Sequence, residues 1–129
     1  MNCLLDTHTF LWAAMDPEKL SRRARVTILD AANDIHVSVV TFWEVSLKFA
    51  LGKMALQGTT PEELPDAASQ MGFTLLALAP QDASTFYQLP RFQHKDPFDR
   101  ILICQAIAGG MTILTPDSHI SRYPVRVEW

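Results

Sequence analysis

Four acidic residues stand where a parallel sheet would gather them, and together they have the chemistry of a divalent-cation site. Asp6 directly follows a short apolar run, and Asp117 follows another by one proline. Glu44 and Asp99 lie near the starts of two predicted helices. Carboxylates packed together raise one another's pKa, and a hard cation such as Mg²⁺ or Mn²⁺ relieves that conflict. Such clusters suit the hydrolysis of phosphate esters, because the cation lowers the pKa of water and neutralises phosphoryl charge.

Each acid also has a structural interpretation. Asp6 and Asp117 could cap the helices predicted to follow them. Thr41 and Glu44 have the spacing of a capping box, and Lys48, four residues after Glu44, predicts an ion pair on one helix face. Capping does not require acids to line one edge of a sheet, so their convergence would favour the metal site.

The segment around Asp99 gives the sharpest signal. Asp96, followed by a proline, predicts the N-cap of a helix whose first turn contains Asp99. The residues three, four and seven positions after Asp99 are Leu102, Ile103 and Ala106. Asp99 therefore shares a face with core residues, and a carboxylate there needs partners because an unpaired buried charge is costly.

The elements that would position these residues alternate between strand and helix. Strands are predicted at 2–5, 35–40, 74–78, 112–115 and, as an edge strand, 125–128, and helices at 7–14, 21–32, 42–51, 61–71, 81–89 and 98–108. Pro65 indicates a late start or a kink in the fourth helix, while Gly52 and the Gly109-Gly110 pair are typical helix ends. This order predicts an α/β fold with a mainly parallel central sheet of four to five strands flanked by helices, the last helix being buried. In open α/β sheets the working site lies beyond the carboxyl ends of the strands.

Length and composition predict one domain over residues 1–129. The chain has 129 residues, of which 48% are hydrophobic and 19% charged, which argues against disorder. Its longest nearly apolar stretch, 101–114, is too short to span a membrane, and the N-terminus lacks the basic start of a signal peptide. The two cysteines are expected to be buried free thiols, which suits a reducing cytosol. A cytoplasmic protein without a membrane partner is therefore expected.

The charge of the chain does not decide its partner. The net charge is −3, which by itself argues against nucleic acid. With the four clustered acids set aside, basic residues slightly outnumber acidic ones. Basic residues also cluster at 22–25 and 91–100, where either a solvated face or a nucleic-acid contact would explain them.

Four segments together resemble PIN-domain ribonucleases of the VapC toxin type. They are LLDTH at 4–8, SVVTFWEVSLK at 38–48, HKDPFDRILICQA at 94–106 and ILTPD at 113–117, and their order and spacing cover nearly the whole chain. The resemblance implies a quartet of Asp6, Glu44, Asp99 and Asp117 that holds Mg²⁺ or Mn²⁺ and is both catalytic and metal-binding. It also implies a single PIN-like domain, a homodimer, cleavage of single-stranded RNA and inhibition by a cognate antitoxin. Asp6 is followed by Thr7 and His8, where many relatives carry Asn in place of His.

Four further residues are candidates for supporting or substrate-binding roles. The Thr7 hydroxyl could position a water or a phosphate oxygen, or simply start a helix. The family pattern favours Asp99 as the ligand and leaves Asp96 as the helix cap. Arg100 could contact an RNA phosphate or a nearby acid, and Ser118 is either a turn residue or a partner of a ligand.

Other functions remain open from the sequence. His8, His94 and His119 each lie two positions from an acid, which permits metal-free RNA cleavage by paired histidines through the 2′-hydroxyl. A PIN-fold nuclease for RNA maturation, without a toxin role, would carry the same acids. A receiver-like signalling domain would need a lysine after a late strand, whereas the last lysine is Lys95. A domain kept only for binding is the remaining alternative. The favoured function is metal-dependent endoribonuclease activity that leaves a 5′-phosphate and a 3′-hydroxyl, because it employs all four acids.

Overall fold

Five parallel strands form the centre of the computed structural model, which describes residues 1–92 and 94–129. The strands are β1 (Asn2–Leu5), β2 (Asp34–Ser38), β3 (Thr74–Leu76), β4 (Thr112–Leu114) and β5 (Arg126–Glu128). Their order across the sheet is β3-β2-β1-β4-β5, and each neighbouring pair runs parallel. The predicted α/β fold with a parallel central sheet is confirmed, and β5 is an edge strand as expected.

Six α-helices connect and cover the strands within the described residues. They are α1 (Thr7–Met15), α2 (Arg22–Leu29), α3 (Val39–Ala50), α4 (Leu64–Gln70), α5 (Pro80–Ser84) and α6 (Pro97–Gly109). Short 3₁₀ turns lie at Pro17–Lys19, Pro61–Glu63, Phe86–Gln88 and Ile120–Arg122. Across the described part of the chain, every helix is too short or too polar to cross a bilayer.

The central strand β1 contributes to both hydrophobic cores, because successive side chains of a strand point to opposite faces. Cys3 and Leu5 pack on one face with Phe10 of α1. Leu4 packs on the other face with Leu102 of α6. Both faces of the sheet are therefore covered, as an all-parallel sheet requires. The expected burial of the last helix is also confirmed, since most of its residues are buried.

The boundary between β2 and α3 differs from the prediction. The strand ends at Ser38, and Val39 already begins the helix. Ser38 Oγ accepts a hydrogen bond from the Val40 backbone N–H at 3.1 Å and donates one to Gln105 Oε1 at 2.6 Å. This N-cap outweighs the strand preference of two β-branched valines. Glu44 consequently lies in the second turn of α3, whereas the predicted helix at 42–51 would place it in the first turn.

Two further helices are shorter than predicted. The helix expected to continue to residue 32 ends at Leu29, where the Asp30 carboxylate accepts a hydrogen bond from the Ala32 N–H at 2.9 Å and forms a turn. The fourth helix begins at Leu64 after a 3₁₀ turn, so Pro65 falls in its first turn. Its late start, predicted from that proline, is confirmed.

The strand β3 and the helix α5 are also shorter than predicted. The strand ends at Leu76, and α5 ends at Ser84. The Thr85 hydroxyl donates to the Gln81 carbonyl at 2.7 Å and competes with continuation of the helix. The predicted stop of the last helix is confirmed, because Gly110 takes the left-handed conformation with φ of 62° that favours glycine.

Both cysteines carry free thiols. Cys3 is buried in β1 and Cys104 is half-buried in α6. Burial is the largest cause that raises the pKa of each thiol. Neither thiol is activated as a nucleophile, because activation needs a lowered pKa. The expectation of two buried thiols is confirmed for Cys3 and only in part for Cys104.

Candidate metal centre

All four predicted acids line one cavity at the carboxyl edge of the sheet. The cavity has a volume of about 290 Å³ and is lined by Asp6, His8, Trp12, Glu44, Lys48, Asp96, Asp99, Pro116 and Asp117. Asp6 follows β1 and Asp117 follows β4, the strand beside it. The chain extends from β1 to β2 and β3 on one side and places β4 and β5 on the other. Such a reversal is where open α/β sheets bind their ligands.

Asp6 is buried and fixed by protein groups. Only 5% of the residue is exposed, and Oδ1 accepts the Thr9 backbone N–H at 2.9 Å, so Asp6 caps α1 as predicted. Oδ2 accepts a hydrogen bond from the Thr115 hydroxyl. That hydroxyl in turn accepts the Asp117 backbone N–H at 3.0 Å and so links two of the acids. Burial raises the pKa of Asp6, while these hydrogen bonds and the nearby His8 oppose the increase.

Glu44 is equally buried and is held at both oxygens. The Thr7 hydroxyl donates to Oε1 at 2.6 Å, and the predicted ion pair joins Oε2 to Lys48 Nζ. Thr7 therefore positions a carboxylate in addition to starting a helix. The predicted capping box is wrong, because Ser38 caps α3 and the Thr41 hydroxyl instead lies 3.3 Å from that of Thr7.

Asp99 and Asp117 each meet a histidine. His94 Nε2 lies 3.2 Å from Asp99 Oδ2. Asp117 Oδ1 accepts the His119 backbone N–H at 2.9 Å and lies 3.0 Å from His119 Nδ1. Asp117 thus forms a turn and does not cap a helix. One ligand atom from each of His94, Asp99 and Asp117 lies within 4.8 Å of the other two, a spacing suited to a shared cation.

The four carboxylates differ in how many of their oxygens accept hydrogen bonds from protein groups. Both oxygens of Asp6 and both oxygens of Glu44 accept hydrogen bonds. Asp99 and Asp117 accept side-chain or backbone donors at one oxygen only, as far as the described residues reach. Their second oxygens are therefore the most available metal ligands in the cavity.

The electrostatics of the cavity favour a cation. The pKa of Asp99 is raised to about 8, first by burial and then by the negative charges of Asp96, Glu44, Asp6 and Asp117. Partial burial opposes protonation of Lys48, but its hydrogen bond to Glu44 and the surrounding carboxylates raise its pKa overall. One lysine does not balance five carboxylates. Clustered oxygen donors with excess negative charge fit a hard divalent cation.

Two further supporting candidates, Asp96 and Ser118, lie where the sequence indicated. Asp96 caps α6, because its Oδ1 accepts the N–H groups of Phe98 at 2.9 Å and Asp99 at 3.2 Å. It also lines the cavity. Ser118 is exposed in the turn after Asp117, and its carbonyl accepts the Ser121 hydroxyl at 2.6 Å. Whether either residue contacts substrate stays a prediction.

Arg100, the fourth supporting candidate, is buried in the protein core. Only 7% of this residue is exposed, and its Nη2 donates to the Leu89 carbonyl at 3.1 Å. The guanidinium lies 4.7 Å from the centre of the Phe86 ring. The guanidinium therefore packs in the core on an aromatic face, and a contact between Arg100 and an RNA phosphate stays a prediction.

Sequence reasoning missed two residues of the cavity region. Thr115 fixes Asp6, and the pairing of Leu5 with Leu114 in the parallel register explains why the next residues of β1 and β4 meet. That adjacency could have been inferred had the strand order been known. Trp12 lines the cavity and packs against Trp129 with ring centres 5.8 Å apart, a contact that no local pattern indicates.

Comparison with known protein sequences finds a family model and a relative that each match nearly the whole chain. The PIN domain family model matches residues 3–125. Ribonuclease VapC22 of Mycobacterium tuberculosis (strain ATCC 25618 / H37Rv) is 27% identical over 128 residues, which cover 96% of this chain and 96% of that protein. The match therefore extends over nearly the full length of both proteins.

Solved structures share the same fold at lower identity. VapBC2 from Rickettsia felis, bound to a DNA fragment from its promoter, aligns with a TM-score of 0.69 and 17% identity over 100% of this chain and 99% of that chain. DNA-bound VapBC from Salmonella typhimurium aligns with a TM-score of 0.67 and 18% identity over 99% and 97%. FitAcB from Neisseria gonorrhoeae aligns with a TM-score of 0.63 and 21% identity over 97% and 95%.

Proposed function

The chain belongs to the PIN-domain family, whose model matches residues 3–125, and on that premise we propose that it is a metal-dependent endoribonuclease and the toxin of a toxin–antitoxin pair. The observation that carries this proposal is the convergence of the quartet on one cavity, namely Asp6, Glu44, Asp99 and Asp117. The match to a ribonuclease along 96% of the chain supports RNA as the substrate. Action on cellular RNA would place the protein in the cytoplasm.

The quartet would hold Mg²⁺ or Mn²⁺. Asp99 and Asp117 would bind the ion through the oxygens that described protein groups leave available. Asp6 and Glu44 would bind it through remaining lone pairs or through water. When bound, the ion lowers the pKa of a water and neutralises charge on the phosphoryl oxygens.

The protein's own groups prepare the site before substrate arrives. The hydroxyls of Thr115 and Thr7 fix the carboxylates of Asp6 and Glu44 in place. Such preorganisation lowers the reorganisation needed during the reaction. Hydrolysis by water would leave a 5′-phosphate and a 3′-hydroxyl and would require no side-chain nucleophile.

We also propose a cognate antitoxin and a second copy of the chain as partners. Large apolar side chains spaced four residues apart are exposed along α3 and at its end, namely Val39, Trp43, Leu47 and Leu51. Contiguous exposed apolar surface commonly marks a protein-binding face. The structural neighbours solved as VapBC assemblies support the same kind of partner here.

The acid quartet is tested with isosteric amides. We expect Asp6→Asn and Asp99→Asn each to reduce RNA cleavage by at least ~10²-fold, because each removes a charge that the transition state requires. Asp66→Asn is the matched control, since Asp66 is an exposed acid of α4. Circular dichroism would verify the fold of each variant. Cleavage at the wild-type rate by both quartet variants would contradict the proposal.

Expression in cells separates the toxin role from RNA maturation. A toxin should arrest growth when expressed alone, the Asp99→Asn variant should not, and co-expression of the antitoxin should restore growth. Cleavage in vitro without growth arrest would instead favour a maturation nuclease of the same fold.

A further inference from the structure

We propose that His94 supplies a nitrogen ligand to the divalent cation, together with Asp99 and Asp117, and that the centre consequently binds Mn²⁺ more tightly than Mg²⁺. The inference rests on the proposed function in one respect, since it takes the acidic cavity to be a metal centre. It adds a ligand outside the acid quartet and a preference for one ion.

The geometry places the imidazole beside two of the four carboxylates, those of Asp99 and Asp117. His94 Nε2 lies 3.2 Å from Asp99 Oδ2, and a ligand atom of Asp117 lies within 4.8 Å of both side chains. With bonds of about 2.0–2.2 Å, two ligands of one cation are at most ~4.4 Å apart. Small side-chain rotations are therefore enough to bring all three atoms onto one ion.

The burial of His94 is a second observation, independent of the acids. Only 9% of its side chain is exposed, and Nδ1 is buried without a hydrogen-bond partner among residues 1–92 and 94–129. Buried polar atoms without partners are uncommon in native proteins and are typical of functional positions. Without a cation, the contact between Nε2 and the Asp99 carboxylate places the ring proton on Nε2. Because no described group engages Nδ1, the proton can instead reside on Nδ1 when a cation approaches Nε2. That exchange frees the Nε2 lone pair, which faces Asp99, for the cation.

The surroundings of the ring favour His94 over His119 as the ligand. The His94 ring stacks on that of His119 at 5.7 Å and meets the edge of Tyr123 at 5.8 Å, so its orientation is fixed. His119 is 62% exposed at its side chain, and its Nδ1 is engaged by Asp117. His119 is better placed to orient that carboxylate, which makes it a positioning residue.

The ligand set determines the ion preference. Mg²⁺ binds oxygen ligands, loses its waters reluctantly and usually keeps several of them. Imidazole nitrogen suits first-row transition-metal ions better than Mg²⁺. Mn²⁺ binds most weakly of that series, but it accepts carboxylate oxygens as well, as this site requires. An imidazole beside two carboxylates therefore shifts the balance from Mg²⁺ towards Mn²⁺.

Pulsed electron paramagnetic resonance of the Mn²⁺-loaded protein tests the nitrogen ligand directly. We expect a ¹⁴N coupling in the wild type, which His94→Gln loses and the matched variant His119→Gln keeps. Wild-type protein labelled with ¹⁵N-histidine should show the ¹⁵N pattern instead, and this arm does not depend on any variant folding. The absence of nitrogen coupling in the wild type, or its loss in His119→Gln alone, would overturn the proposal.

Calorimetric titration with Mn²⁺ and with Mg²⁺ tests the preference. We expect His94→Gln to lower the Mn²⁺ affinity by at least ~10–100-fold, which is the loss typical when a group that only supports a ligand is removed. The Mg²⁺ affinity should fall less. Equal losses for the two ions, or none, would overturn the preference. Asp99→Asn and Asp117→Asn should each lower the affinity for both ions. If those acid variants bound both ions as the wild type does, the proposed metal centre itself would be wrong, whatever His94 does.

Discussion

The negative charge of a side chain and the environment that the fold gives it conflict most clearly at Asp99. Its carboxylate lies on the core-facing side of α6 with four other acids around it, and its pKa is raised to about 8. Protein groups stabilise Asp6 and Glu44 through hydrogen bonds at both oxygens. Asp99 lacks comparable support among the described residues, so a cation is the partner that would stabilise its charge.

This conflict makes the stability of the metal-free protein depend on pH. The ordinary pKa of an aspartate is 3.8 and the pKa of Asp99 in the fold is about 8, so between these values the folded state binds more protons than the unfolded state. The free energy of unfolding therefore falls as pH rises through that interval. In EDTA, we expect a lower Tm at about pH 9 than at about pH 6, measured by thermal denaturation.

The Asp99→Asn variant is the matched test of that pH dependence. It removes the titrating group and keeps the shape, so its Tm should change less between the two pH values and should exceed that of the wild type at the higher one. A saturating divalent cation should raise the Tm of the wild type more than that of the variant. A wild-type Tm that increased with pH in EDTA would contradict the assignment.

At the scale of elements, local signals predicted most helices and strands but not where they meet. The proline and glycine signals at Pro65 and Gly110 placed two helix ends correctly, since each restricts or permits a backbone conformation by itself. The start of α3 was missed because valine favours strands, while the Ser38 hydroxyl caps the helix at Val40 and is itself held by a buried Gln105 from a distant helix. The burial of Arg100 was likewise invisible, since its partners come from the segment before α6.

The Ser38 contact gives a prediction at the same scale. The Ser38 hydroxyl caps α3 and also donates to Gln105 of α6. The Gln105 amide donates in turn to the Ala77 carbonyl at 3.3 Å, so the contacts link α3, α6 and the loop after β3. Replacing Ser38 with alanine removes the cap and leaves a buried amide oxygen without its donor. We expect the free energy of unfolding to fall by about 2–3 kcal/mol in urea denaturation.

Ser46→Ala provides the control for that measurement. Ser46 is exposed in the middle of α3, and alanine favours helix, so we expect a change within about 0.5 kcal/mol. An equal loss in the two variants would show that the effect comes from the helix in general and not from the cap and its buried partner.

At the scale of the whole molecule, the strand order turns scattered acids into one site. The carboxyl ends of β1 and β4 are adjacent, which brings Asp6 beside Asp117 although most of the chain separates them. The sequence predicted this convergence in outline, because parallel strands end at one edge. It could not predict the partition of the acids into fully and partly hydrogen-bonded pairs, or the packing of His94 on His119, since both depend on tertiary contacts.

The most direct test of the metal-dependent nuclease is cleavage of total RNA by the purified chain, with the ends mapped in Mn²⁺, in Mg²⁺ and in EDTA. We expect cuts at a few sites that leave 5′-phosphates, that require a divalent ion and that disappear in EDTA. Cleavage that persists in EDTA and leaves cyclic phosphates would contradict the metal-dependent mechanism and would assign the chemistry to the paired histidines.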